Sequence, residues 1–259
     1  MQQLTILKIG GKLLDDDTRL NEALADFTKI EGTKILVHGG GKKSSELSRQ
    51  LGIEPKMAEG RRITDAATLE VVTMVYAGLL NKTLVSRLQA LGCNAIGLSG
   101  ADGNAILAKK RPVKTIDYGF VGDVEMVNKR LVINFLEKNL TPVFCAVTHD
   151  GQGQLLNTNA DTIATSLAVA LAQDYQVTLK FCFEKNGVLL DPADENSVIP
   201  NLDAATFARY QTAGIISEGM IPKLDNAFAA VQAGVAAIII CGRDGIAPGS
   251  FQIGTTICR

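Results

Sequence analysis

Histidine is almost missing from these 259 residues, with only His38 and His149 present. Two imidazoles so far apart make no zinc site, and they give little reason to expect a histidine base. Cysteine is sparse and unpatterned: Cys93, Cys145, Cys182, Cys241 and Cys258 are odd in number and never spaced as CxxC. That suits reduced core thiols better than disulfides or zinc. A net charge of −1 gives no reason to expect nucleic acid or an anionic membrane as partner. No run approaches the roughly 20 apolar residues that cross a bilayer, and no signal-peptide layout opens the chain. Pro- or Ser-rich linkers and internal repeats are also lacking. With 46% hydrophobic and 20% charged residues, the expectation is a cytoplasmic globular protein.

The common nucleotide and nucleophile signatures are absent as well. A P-loop fails because the position six residues before Lys42, where glycine is required, is Leu36. A G-x-G-x-x-G turn fails at Ser44, the protein-kinase motif set does not fit, and no G-x-S-x-G elbow appears.

What remains is an alternation of apolar runs and amphipathic stretches. The predicted strands are Leu4–Ile9, Lys34–His38, Ala95–Leu98, Pro142–Ala146, Val177–Phe183 and Ala236–Cys241. Helices are predicted over Thr18–Ile30, Ser44–Leu51, Asp65–Leu91 (as two helices), Lys129–Lys138, Thr158–Gln173, Ala204–Thr212 and Gly219–Ala233. Such alternation predicts an α/β fold with a mainly parallel sheet covered on both faces. One region breaks it. Ala105–Ala108, Val113–Thr115 and Phe120–Val127 read as short antiparallel strands of a hairpin flap. The chain is expected to form one domain over 1–259, with an N-lobe of about 1–175 and a C-lobe of about 176–259.

Two strands run into glycines, in "KIGGK" and "VHGGGK". Each run could be a tight turn, or a cradle of free N–H groups for phosphate oxygens. Lys8 sits in the first strand, one residue short of the glycine pair. A lysine there either reaches an open edge or meets an anion, because burying an unpaired ammonium is costly. Lys223 falls in the first turns of a predicted helix, where the helix dipole disfavours a cation. In "LLNTNADTIATSLA", Asn157 or Asn159 could cap a helix whose first turn welcomes Asp161, or the cluster could hold a polar ligand. "GRRITD" offers Arg61 and Arg62 before a helix capped by Thr64 or Asp65. Arginine suits a two-pronged grip on a carboxylate, although one of the pair reads as an ordinary solvated charge.

Taken in order, "KIGGK", "VHGGGK", "GRRITD", "NKTLVSRL", "GLSGADG", "GFVGDVEMV", "LLNTNADTIATSLA" and "SEGMIPK" resemble the motifs of the amino-acid kinase superfamily, and within it the N-acetyl-L-glutamate kinase family. The resemblance implies a three-layer α/β/α sandwich. It also implies transfer of the γ-phosphoryl of ATP, with Mg2+ held mainly by the phosphates, to the side-chain carboxylate of N-acetyl-L-glutamate in arginine biosynthesis. By position it makes Lys8 and Lys223 the catalytic lysines and Asp161 the aspartate that holds them. Gly40, Gly41, Arg62 and Asn157 become substrate contacts. Gly10, Gly11, Glu184, Gly187, Gly219 and Met220 become phosphate or nucleotide contacts in the pattern, with no protein metal ligand. Glu184 stands where relatives carry an aspartate, between Phe183 and Lys185, which leaves the nucleotide contacts open. The nucleophile is a carboxylate with a pKa of about 4.3, already ionised at neutral pH, so no general base is needed. Glutamate 5-kinase, aspartokinase and uridylate kinase are the rivals within the superfamily. An N-succinyl-L-glutamate kinase would keep the chemistry, and a non-catalytic amino-acid or nucleotide sensor would keep only the fold. Arginine-inhibited relatives carry an additional N-terminal helix, so the expectation is a homodimer without that feedback, with Asp65–Leu80 contributing to its interface.

Overall fold

The computed structural model describes residues 1–216, 220–249 and 253–258, with the side chains of residues 12 and 222 excepted. The elements begin with β1 (Gln2–Ile9), α1 (Asp17–Thr28), β2 (Thr33–His38), α2 (Gly41–Gln50), β3 (Met57–Ala58), β4 (Arg61–Arg62), α3 (Ala66–Thr73), α4 (Asn81–Ala90) and β5 (Ala95–Leu98). They continue with β6 (Ile106–Lys110), β7 (Val121–Val127), α5 (Lys129–Glu137), β8 (Thr141–Cys145), β9 (Val147–His149), β10 (Leu155–Thr158), α6 (Ala160–Leu171) and β11 (Tyr175–Cys182). The last are β12 (Asn201–Leu202), α7 (Ala204–Thr212), α8 (Ile221–Gln232), β13 (Ala237–Cys241) and β14 (Thr255–Ile257). The chain is a mixed α/β fold on a mostly parallel sheet: β1–β11, β11–β13, β2–β8, β5–β8 and β12–β14 pair in parallel, and β13–β14 is antiparallel.

Two compact units divide the chain, Met1–Ile35 with Ala164–Arg259, and Leu36–Ile163. In the first, the strand order is β12-β14-β13-β11-β1. Leu4, Ile6, Leu7 and Ile9 of β1 are all buried, so the strand is covered on both faces, as a parallel strand must be. Helix α1 starts where Asp16 accepts a hydrogen bond from the Arg19 amide at 3.0 Å. It buries Leu20, Ala23, Leu24 and Phe27, the stripe of one helical face.

In the second unit, β2, β8 and β5 form the parallel part. Strands β6, β7, β9 and β10 close into a small barrel, and β3–β4 is a separate hairpin. Antiparallel pairing of β6 with β7 matches the expected flap. Val113–Thr115, expected as a strand, is not one: Pro112 has no N–H to extend the ladder, and pairing stops where the Arg111 amide donates to Val121 O. The two helices expected in Asp65–Leu91 are one helical run over residues 66–90. Its middle is a π-helical turn, Met74–Leu80, and Thr73, Met74, Leu80 and Asn81 all keep right-handed helical φ/ψ. The run contains no proline, and a single exposed glycine, Gly78, weakens a helix without breaking it. Its cap is Asp65, not Thr64: the Asp65 carboxylate accepts from the Thr68 amide at 2.9 Å. Thr158 lies in β10 instead of opening the next helix, which begins after Asn159. The expected start of the last helix, Gly219, lies outside the described residues.

Candidate active site

In the first unit, β1 carries Lys8 to within one residue of Gly10. Lys8 is 7% exposed, so its ammonium is placed by its neighbours and not by bulk water. A side chain at Gly10 would start 2.8 Å from Lys8 Nζ, so the missing Cβ is the space the ammonium uses. Gly11 turns with φ +59°, and a Cβ there would stand 3.5 Å from Glu184 Oε1. Lys223 is the third residue of α8, and its amide and that of Leu224 donate to Met220 O at 3.1 and 3.0 Å. Both lysine ammonium groups lie over one ring: Lys8 Nζ is 5.0 Å and Lys223 Nζ 4.1 Å from the centroid of Phe183. Gly187 is buried against Val198 and Thr255, where a Cβ would come within 2.7 and 2.8 Å of side-chain atoms. Close packing accounts for that glycine.

In the second unit, β2 ends at the 39–41 glycine run, and α2 starts at Gly41. Gly40 has φ +156°, and a Cβ on it would come 2.4 Å from Leu80 Cδ1 and 3.0 Å from the Tyr76 ring, so backbone alone fits. Arg62 is 8% exposed, and its Nη2 donates to Gly41 O at 2.8 Å and to Ser45 Oγ at 2.7 Å. Its Nη1 is buried with no hydrogen-bond partner among the described residues. Burial pushes the Tyr76 phenol up, against the pull of the neighbouring Arg62 guanidinium. Asn157, on β10, donates through Nδ2 to Thr64 Oγ1 at 3.0 Å, and Thr64 Oγ1 donates to Arg62 O at 3.3 Å. Asn159 is the helix cap, accepting from the amides of Asp161 and Thr162 at 2.7 and 3.1 Å. Asp161 opens the first turn of α6. Gly40, Gly41 and Arg62 are thus one cluster, with Asn157 tied to it through Thr64.

The family model described as "Amino acid kinase family" matches residues 3–242. The chain belongs to the amino acid kinase family. Acetylglutamate kinase of Bacteroides fragilis is 55% identical over 92% of this chain and 92% of its own length. That of Phocaeicola vulgatus is 55% identical over 97% of this chain and 98% of its own. A crystal structure from Streptococcus mutans superposes with a TM-score of 0.77 at 27% identity, covering 98% of each chain.

Several groups in these two clusters escape a reading of the sequence alone. Ser45, Thr64 and Tyr76 touch the Arg62 cluster, but nothing in their local pattern marks them. Phe183 was legible only as an unusual neighbour of Glu184. His38 is fully buried; its Nδ1 lies 2.8 Å from Gly39 O, and its Nε2 lies 3.1 Å from Asn81 Nδ2. Since the Asn81 amide nitrogen can only donate, Nε2 accepts, and Nδ1 carries the proton that goes to Gly39 O. Asn81 Nδ2 also donates to Val143 O at 2.9 Å, and Lys82 Nζ donates to Asn81 Oδ1 at 3.1 Å, which fixes the amide's orientation. Carbonyl and N–H of one trans peptide point in opposite directions. With Gly39 O turned to the ring, the Gly40 N–H faces away from it.

Burial lowers the His38 pKa from 6.5 to about 4, against the opposing hydrogen bond to Gly39. The unfolded chain therefore binds the extra proton first. The stabilisation is complete above pH 6.5 and is lost as pH falls towards 4, by an amount on the order of 3 kcal/mol. Urea unfolding midpoints measured between pH 7.5 and 4.5 should fall more steeply for the native chain than for His38→Gln.

Proposed function

We propose that this chain transfers the γ-phosphoryl group of ATP to the side-chain carboxylate of N-acetyl-L-glutamate, giving N-acetyl-L-glutamyl 5-phosphate and ADP, a step of arginine biosynthesis. The observation that carries the reading is the pairing of Lys8 and Lys223 over one ring, in a family member more than half identical to curated acetylglutamate kinases. A carboxylate oxygen forms a bond to the γ-phosphorus as the bond from phosphorus to the β–γ bridging oxygen breaks, and ADP takes the electron pair. Such transfer needs positioning and charge stabilisation more than proton chemistry. Lys8 faces the transferred phosphoryl, and Lys223 faces the leaving β-phosphate side. Asp161 orients ammonium groups, and Gly10 and Gly11 offer backbone N–H groups to phosphate oxygens. Residues 176–259 hold the nucleotide, with Glu184, Gly187 and Met220 on that side; the Gly219 assignment lies outside the described residues.

In the second unit, Arg62 grips a substrate carboxylate through the Nη1 that has no protein partner. Gly40, Gly41 and Asn157 line the same acceptor. Mg2+ takes hard oxygen ligands, which the nucleotide phosphates themselves supply, and when bound it neutralises part of their charge. Among the described residues, no group of three His, Cys, Asp or Glu could hold a metal, and no helix is long and apolar enough to cross a membrane.

A second reading, N-succinyl-L-glutamate as acceptor, is favoured by one observation. A groove of about 610 Å³ is lined by Arg61, Lys109, Arg111 and Lys114 together with Glu59, Asp123 and Tyr118; Arg111 is paired to Asp123 and Lys109 to Glu125. A terminal succinyl carboxylate would find cations there.

ADP release measured with N-acetyl-, N-succinyl- and free glutamate tests both readings. The first expects the highest kcat/KM with the acetyl compound, and equal rates on free glutamate would overturn both. In the same assay Lys8→Ala should lose turnover while keeping its KM for ATP nearly unchanged; an unaltered kcat would remove Lys8 from the mechanism. Arg62→Lys should raise the acceptor KM about tenfold with little change in kcat, because an ammonium cannot reproduce the fork. We further propose a homodimer through the helical run of residues 66–90, which exposes Met74 and Leu79 beside Gly78. Light scattering should give twice the chain mass, and Met74→Glu should halve it.

A further inference from the structure

We propose that Phe183 is a positioning residue, whose aromatic face gathers Lys8 and Lys223 and holds their ammonium groups ready for phosphate. The argument starts from strand register. β1 and β11 are parallel, with Lys8 opposite Phe181 and Ile9 opposite Cys182. Partners in a parallel pair project to the same face, and alternate residues of one strand share a face. Lys8, Phe181 and Phe183 therefore lie on one side of the sheet, and Phe181 and Phe183 stack with centroids 5.9 Å apart at 10°. Continuing the register by one residue sets Gly10 beside Phe183. Because Gly10 has no Cβ, the Lys8 ammonium can turn into that space and reach the ring. The Phe183 amide donates to Cys241 O at 2.9 Å, extending the β11–β13 ladder and fixing where the ring stands.

Lys223 arrives from α8 and comes closer still, at 4.1 Å from the centroid against 5.0 Å for Lys8. Both distances fall within the roughly 6 Å over which an ammonium is attracted to the negative face of a ring. Two like charges brought to one ring repel each other, so the ring's attraction offsets part of the cost of assembling them before nucleotide binds. The proposal rests on the kinase reading above for its kinetic test, and a second measurement is independent of that reading.

The test is to replace Phe183 site-specifically by 4-fluoro-, 3,5-difluoro- and 3,4,5-trifluorophenylalanine. These keep the ring's shape while draining its face of negative potential. Phe183→Tyr serves as the conservative variant and Phe183→Leu as the apolar control. The expected result is a stepwise fall of kcat with each fluorine, roughly tenfold over the series, with KM for ATP and for the acceptor changing less than about twofold. Phe183→Tyr should retain turnover and Phe183→Leu should lose it. A kcat that stays flat across the fluorinated series overturns the proposal, whatever Phe183→Leu does. If the native chain shows no ADP release with any acyl-glutamate, the kinase reading fails, and the second measurement decides the platform alone. In lysine-labelled, ligand-free protein, the Cε protons of Lys8 and Lys223 should be shifted upfield by the ring current and return to ordinary values in Phe183→Leu. Unshifted protons in the native chain overturn the platform.

Discussion

Repulsion between a carboxylate and a polyphosphate is the constraint on which the rest of this molecule depends. At about 4 Å and an effective dielectric constant near 20, each pair of like charges costs about 4 kcal/mol. A site that must bring such partners together therefore needs cations whose charge is still available when the ligands arrive. The first unit carries two candidates, Lys8 near the carboxyl-terminal end of a parallel strand, where ligands bind in sheets of this kind, and Lys223 at the start of a helix. Lys8 is buried near the end of β1, and Lys223 stands in an opening helical turn where the dipole opposes it.

The second unit meets a different demand, which is to fix donors without adding charge. Gly39 O is held by a histidine that burial keeps neutral, so the ring can donate through one nitrogen while accepting through the other. A protonated ring would lose the acceptor that Asn81 uses. Thr64 passes order in the same neutral way, joining Asn157 on β10 to the backbone of Arg62. Ser45 and Gly41 O hold one arm of the guanidinium, and the other has no hydrogen-bond partner among the described residues. A fork pre-set in this way loses little entropy on binding, which is what makes arginine the better choice than lysine at such a position.

The long parallel strands could be read almost to the residue, because they are buried on both faces and form continuous apolar runs. Errors arose where tertiary context overrides local pattern. Asp65–Leu91 reads as two helices, yet the backbone over residues 66–90 stays helical through a π turn. Val113–Thr115 has β-branched residues and still forms no strand, since Pro112 cannot extend the ladder. Thr158 reads as the start of a helix and is the last residue of a barrel strand, β10, paired to β7 and β9. Among the candidate residues, Lys8, Lys223 and Arg62 were legible as charges in uncomfortable places. Thr64 and Phe183 were not, because their importance lies in contacts that only the fold creates: Asn157 and Thr64 are 93 residues apart.

The two glycine runs, alike in sequence, solve opposite packing problems. At Gly40 the crowding comes from outside: the helical run of residues 66–90 presses Leu80 and Tyr76 so close that a Cβ would overlap them. Glycine there lets a backbone N–H approach a packed wall. At Gly10 the crowding comes from the residue's own strand, where the Lys8 ammonium occupies the volume a side chain would take. Backbone φ at Gly10 is extended, a conformation open to any residue, so conformational freedom does not explain the glycine. Space does: the missing side chain leaves room for the Lys8 ammonium beside the end of the strand.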